Sequence, residues 1–230
     1  MKTKIELWIA GSIAEVISAA RTGLPTAIVT NPTVMADWTS GGRTLESVID
    51  EVTSATSLPL YVQLRGPDYE TFLAEGEAYT AISDRVCLKL PSTIAGFAAT
   101  RTFALEGKKT LVTTVCSIEQ AYLAAAAGAD AVCPYLSRLD ESGESSSELV
   151  KGIREFYQRH ECATRIFPAS VRSREQIGEA VRSGANGVIV FYDLFCNMAD
   201  HHVSEASCSA FETDWNKTPT EFEYRQRVKS

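Results

Sequence analysis

Histidine is scarce in this 230-residue chain, and His160, His201 and His202 show no metal-ligand spacing. A structural zinc site is therefore not expected, and nothing in the sequence calls for a cofactor. The six cysteines (Cys87, Cys116, Cys133, Cys162, Cys196 and Cys208) are scattered without a Cys-x-x-Cys pair. A chain of this size needs no disulfide scaffold, so they read as reduced thiols of a cytoplasmic protein. No dense basic run interrupts a net charge of −7, which argues against a nucleic-acid partner. The apolar runs are too short to span a bilayer, so no membrane partner is expected. Met1–Glu6 enters a strand-like segment directly, without a signal-peptide h-region or cleavage site. No Gly-x-Gly-x-x-Gly follows any strand candidate, which counts against the dinucleotide-binding form of a doubly wound sheet.

What the chain does have is alternation. Strand-like runs occur at 5–10, 26–29, 60–64, 86–90, 110–115, 131–134, 165–169 and 187–191. Amphipathic stretches lie between them, at 12–21, 45–55, 69–82, 94–106, 118–127, 147–160 and 174–183. The strand candidates are nearly continuous in apolar character, as parallel strands covered on both faces must be. Alternating βα units of this number and length predict an α/β fold, a single-domain (β/α)8 TIM barrel over residues 1–230. Residues 203–230 are read as an extra C-terminal helix, amphipathic around 206–215, followed by a polar tail.

One residue breaks the apolar pattern. Lys89 stands near the end of Val86-Cys87-Leu88-Lys89-Leu90-Pro91. An ammonium in an apolar site loses solvation, so its pKa falls and a neutral nucleophile appears. Such an amine attacks ketones to form a Schiff base. A lysine snorkelling from a strand end toward water has the same sequence appearance. Barrel enzymes assemble their sites at the C-terminal ends of the strands. There the sequence places Thr30 and Asn31 after the second strand, and Gln63 and Arg65 at the third. Thr113 is on the fifth, Tyr135 and Arg138 follow the sixth, and Ser170 and Arg172 follow the seventh. Each has an ordinary structural explanation, since Asn31-Pro32 is a common turn starter and threonine a normal strand residue. Their convergence on one rim with an amine is harder to explain so.

The motifs resemble the transaldolase and fructose-6-phosphate aldolase family. Thr30-Asn31-Pro32-Thr33 is similar to its T-N-P-S/T signature. Lys89-Leu90-Pro91 with Thr93, Gly96 and Ala99 resembles the segment that carries the Schiff-base lysine. Pro134-Tyr135 with Arg138 and Asp140, and Ala169-Ser170-Val171-Arg172, resemble the family's acid/base and phosphate-site segments. Phe211-Glu212-x-Asp214-Trp215 resembles the last helix of the small aldolase-like branch. The resemblance implies a Schiff-base aldolase or transaldolase acting on a three-carbon dihydroxyacetone unit of a ketose phosphate such as fructose 6-phosphate. It implies Lys89 as nucleophile and Tyr135 as acid/base, working through a water held by Gln63 and Thr113. Asn31 and Thr30 would meet substrate hydroxyls, and Arg138, Ser170 and Arg172 a terminal anion, with Arg65 as a further rim cation. It also implies a homo-oligomer, a pentamer or decamer. The chain departs from the family at Ala10, where relatives carry an aspartate. That departure keeps open a different anionic ketose, such as 6-deoxy-6-sulfofructose, and a non-catalytic sugar-phosphate binding protein.

Overall fold

The computed structural model describes residues 5–218. By its contacts the chain divides into two units, residues 1–195 and 196–230. The first unit is a barrel of eight parallel strands in the order β7-β6-β5-β4-β3-β2-β1-β8. They are β1 (Glu6–Ala10), β2 (Ala27–Val29), β3 (Leu60–Gln63), β4 (Val86–Pro91), β5 (Thr110–Val115), β6 (Ala131–Pro134), β7 (Arg165–Ile166) and β8 (Gly187–Phe191). Backbone bonds from Asn186 N to Ile166 O and from Ile189 N to Pro168 O, each 2.9 Å, tie β8 to the β7 segment.

Between the strands run α1 (Ile13–Arg21), α2 (Pro32–Trp38), α3 (Leu45–Ala55), α4 (Tyr69–Thr80), α5 (Ile94–Leu105), α6 (Ile118–Ala127), α7 (Leu136–Glu141), α8 (Ser146–Arg159) and α9 (Arg174–Arg182). The short α10 (Tyr192–Asn197) follows β8. Most helices open on a side-chain cap. Ser12, Thr44, Asp68, Thr93, Ser117, Ser145 and Ser173 each accept a bond from a backbone N–H of the first turn. Gly128 ends α6 at φ 84°, a left-handed conformation that glycine adopts without the Cβ penalty.

Two short helices were not legible as helices. Asn31-Pro32, read as a turn, is the N-cap and first residue of α2, where proline's missing N–H costs nothing. Helix α7 starts directly after β6 without a side-chain cap. The strand expected at 165–169 is a ladder of only two residues, Arg165–Ile166. Phe167 and Ala169 still donate to Val132 O and Pro134 O at 2.9 and 2.8 Å, but Pro134 of β6 has no N–H to return to Phe167 O, and the ladder reappears only as an isolated bridge between Ala169 and Tyr135.

In the second unit, α11 (His202–Trp215) covers the amphipathic run and begins earlier than the sequence suggested. The polar tail beyond Thr218, and Met1–Lys4, lie outside the described residues. No helix among the described residues is long and apolar enough to cross a membrane.

Side chains at alternate strand positions fill the barrel. The largest are Trp8, Tyr61 and Phe167. Trp8 stacks on Phe167 with ring centroids 3.8 Å apart and on Tyr61 at 4.6 Å. Below them Glu6 pairs with Arg165 and accepts the Trp8 Nε1–H at 3.0 Å. This aromatic stack is the floor on which the upper layer of inward residues rests. Trp8→Ala is expected to cost about 4 kcal/mol of unfolding free energy, read from the denaturant midpoint, because the cavity left in a closed barrel cannot collapse. A loss under about 1 kcal/mol would mean that the interior repacks freely.

Candidate active site

Lys89 lies on β4, whose register sets it beside Gln63 of β3 and Leu111 of β5. It points inward above Cys87 and is only 3% exposed. Its Nζ donates to the Thr30 carbonyl at 2.8 Å. No carboxylate pairs with it among the described residues. Burial strips water from the ammonium and lowers the pKa below the usual lysine value, with the Cys133 thiol opposing weakly. Ala10, at the end of β1, lines the same cavity and adds no charge. The amine is thus anchored by one carbonyl and held toward its neutral form.

The cavity above it has a volume of about 260 Å3. On the β2 side it is bounded by Thr30 and Asn31, and on the β6–β7 side by Tyr135, Arg138, Ser170 and Arg172. The β8 side is apolar, with Ile189 and Phe191. The apolar wall therefore faces the amine on β4 across the barrel, with polar groups on either side.

Each polar residue is positioned by its element. Thr30 is stitched into the β2–β3 seam. Its hydroxyl donates to Tyr61 O at 3.1 Å and accepts from Gln63 N at 3.1 Å, so its carbonyl is what meets Lys89. Asn31 Oδ1 accepts the Val34 N–H at 2.8 Å as the cap of α2, which leaves its side-chain N–H groups for a ligand. Thr113 is fully buried behind Tyr135 and donates to the phenol oxygen at 3.3 Å. The ladder from β5 to β6 shifts register between Thr113 and Val115, with Thr114 at φ 61°. Burial, and then the nearby Cys133, push the Tyr135 pKa up, so the phenol is a proton donor at neutral pH. The Arg138 guanidinium sits 5.6 Å from the Tyr135 ring centroid.

Ser170 holds φ at 56°, a strained value for a residue with a Cβ, and its carbonyl accepts from Ser137 N at 3.1 Å. The Arg172 N–H donates to Gln176 Oε1 at 2.8 Å, while its guanidinium pairs with Glu141. Gln176 also bonds Ser137 at 3.1 Å and Asp140 at 3.3 Å, which joins α7 to the loop after β7. Arg138 forms no ion pair among the described residues. Of the two rim cations, one is already neutralised and one is not.

The structure does not bring all the expected residues together. Gln63, although beside Lys89 in register, lines a second cavity of about 360 Å3 with Met35, Arg43 and Tyr79. Its Oε1 is buried there without a hydrogen-bond partner. Arg65 lines that second cavity too and is held by Glu75, with Nε at 2.9 Å and its backbone N at 2.6 Å from the carboxylate. It is a salt-bridged loop residue, away from the cavity over Lys89. Glu141, Gln176 and Phe191 were not picked out from the sequence. Strand alternation from Ile189 gives Phe191 away, whereas nothing local signals the other two.

The model of the family described as transaldolase/fructose-6-phosphate aldolase matches residues 10–227. A probable transaldolase of Phenylobacterium zucineum is 34% identical over 206 residues, covering 90% of this chain and 94% of that protein. One from Alkaliphilus metalliredigens is 34% identical over 204 residues, 89% and 94% of the two chains. Among solved structures, thiamine phosphate pyrophosphorylase from Pyrococcus furiosus aligns with a TM-score of 0.56 at 16% identity, over 88% of this chain and 92% of that one. That likeness concerns the fold alone.

Proposed function

The chain belongs to the transaldolase/fructose-6-phosphate aldolase family and is a transaldolase-type enzyme; from that premise we propose that it works through a Schiff base on Lys89. The donor in this reading is a ketose phosphate such as fructose 6-phosphate, which gives up a three-carbon dihydroxyacetone unit. The observation that carries it is the buried amine, facing a small cavity with a phenol and two guanidiniums on its rim.

Neutral Nζ adds to the C2 carbonyl, and loss of water leaves a protonated imine that withdraws electrons from C3. The C3–C4 bond breaks as the C4 hydroxyl gives up its proton. The aldehyde departs and an enamine remains on Lys89. Its protonation and hydrolysis amount to aldol cleavage, and its capture by a second aldehyde to transaldolation. The Thr113–Tyr135 pair relays the proton in this scheme. A phenol whose pKa is raised is a weaker acid and stays protonated at neutral pH, so it cannot itself take the C4 proton, and the base at C4 is a water on Tyr135. Asn31 binds ketose hydroxyls, and Arg138, Ser170 and Arg172 hold the terminal anion.

Ala10 leaves a second substrate reading open. With no carboxylate at the end of β1 and an apolar β8 wall, a substrate hydroxyl on that side has no partner and is costly to bury. 6-Deoxy-6-sulfofructose carries the same C3 to C5 hydroxyls as fructose 6-phosphate and differs only in its terminal anion, which the same two arginines accept equally well. A purely binding role is disfavoured by an amine buried without a carboxylate partner among the described residues, at its own cost.

Borohydride reduction in the presence of dihydroxyacetone, fructose 6-phosphate or the sulfosugar, read by mass spectrometry, tests the reading. A Lys89 adduct is expected, and its mass reports the retained fragment. Absence of any adduct with all three would remove the covalent mechanism. Ala10→Asp is expected to raise kcat/KM for fructose 6-phosphate about tenfold by supplying the missing hydroxyl partner. It should also move the pH optimum upward, since a nearby carboxylate raises the Lys89 pKa. An unchanged substrate profile would mean that Ala10 has no part in specificity.

The same reading includes a cytoplasmic homo-oligomer, a pentamer or decamer, with Phe211 and Trp215 of α11 as contact residues. Light scattering of the full chain tests the assembly.

A further inference from the structure

A cavity of about 450 Å3 lies at the other end of β4 from Lys89, lined by the turns that follow α3, α4 and α5. Its wall carries Arg85, Lys108 and Lys109 against one carboxylate, Asp84. This local excess of positive charge runs against the −7 of the whole chain. The hydroxyls of Ser57 and Ser83 lie in the same wall.

The three cations are differently engaged. Arg85 donates from Nη2 to the Thr53 carbonyl at 2.6 Å, and its Nη1 is 3.7 Å from Asp84. Its Nε is buried and has no hydrogen-bond partner. Lys108 lies over the Phe103 ring at 5.2 Å and pairs at 2.9 Å with Glu106, which is outside the cavity. Lys109 forms no ion pair among the described residues. It lines the cavity beside the buried Cys87 thiol. Arg85 thus brings a fixed donor, and the lysines bring adjustable charge.

We propose that this basal cavity is a second anion site, which takes a small organic phosphomonoester with its phosphate between Arg85, Lys108 and Lys109. The volume is within the range of small-molecule sites and exceeds that of the catalytic cavity, so it has room for an organic group beside Pro59 and Val86. The site is distinct from the rim arginines. It draws on the loops at the N-terminal ends of the strands, whereas Arg138 and Arg172 follow the C-terminal ends of β6 and β7.

The test is equilibrium dialysis of ribose 5-phosphate against the full chain carrying Arg138→Ala and Arg172→Ala, which silences the catalytic rim. One site per chain is expected to remain. Adding Lys108→Ala and Lys109→Ala should weaken it about tenfold or more. The Lys108→Arg, Lys109→Arg pair should keep it, which separates charge from folding. No binding to the rim variant, or binding that survives removal of both lysines, overturns the proposal.

Discussion

Lys89→Met abolishes borohydride trapping with any ketose and lowers turnover by about 10^3-fold or more. Methionine matches the lysine stem in volume and leaves no cavity, so the loss reports the amine itself. The same variant has a stability signature whose sign follows from burial. In the unfolded chain the amine titrates near the ordinary lysine value of 10.5, and in the fold burial makes its pKa lower. Below 10.5 the unfolded state therefore holds more protons than the native one, and wild-type stability falls as pH drops. The fall ends at the folded pKa. The methionine variant lacks this contribution. Its stability relative to wild type is expected to grow between pH 10 and pH 7, measured as the difference in denaturant midpoints. A constant difference across that range would place the nitrogen in water in the folded state, and the covalent chemistry would lose its physical basis. Trapping that persists in the variant would instead point to another lysine.

The amine was legible in the sequence because burial of a parallel strand on both faces leaves no neutral place for a lysine. The same argument found all eight strands, since a continuous apolar run needs only its own composition to be recognised. Boundaries were legible only where local chemistry sets them. Ser117 and Gly128 bracket α6 as caps, and the expected helix is the observed one. The end of β7 depends on the N–H that Pro134 of the neighbouring strand lacks, which the apolar character of Phe167 conceals. Helices α2 and α7 are too short to establish a periodicity.

The rim was less legible than the lysine, for a different reason. Strand alternation tells which way a residue points inside a ladder, and that is why Thr113 meets Tyr135. Beyond the last paired residue the direction is set by whichever partner the loop finds. Arg65 follows Leu64 out of β3 and is captured by Glu75 of α4. Arg172 finds Glu141, 31 positions away, and Gln176 fastens the loop to α7. No spacing in the sequence announces such pairings, because each depends on how two loops lie in three dimensions. Gln63 has the register of a site residue, yet it borders the neighbouring cavity.

That difference in pairing makes the two rim arginines unequal, and the inequality is measurable. Arg138→Ala is expected to lower kcat/KM for a phosphorylated ketose by about 10^2-fold, chiefly through KM, because an unpaired guanidinium gives its full charge-assisted bonds to the anion. Arg172 must first give up Glu141, so Arg172→Ala costs less, about tenfold. Glu141→Gln releases Arg172 from its partner and should tighten binding of the phosphorylated ketose, with little change for dihydroxyacetone. All three effects shrink as ionic strength rises, since both arginines are exposed. Steady-state kinetics with one anionic and one neutral ketose, at low and high salt, reads the whole set. Equal losses on both ketoses would mean that the arginines support the fold of the rim, and the reversed ranking would mean that Glu141 positions Arg172 for the anion and does not compete with it.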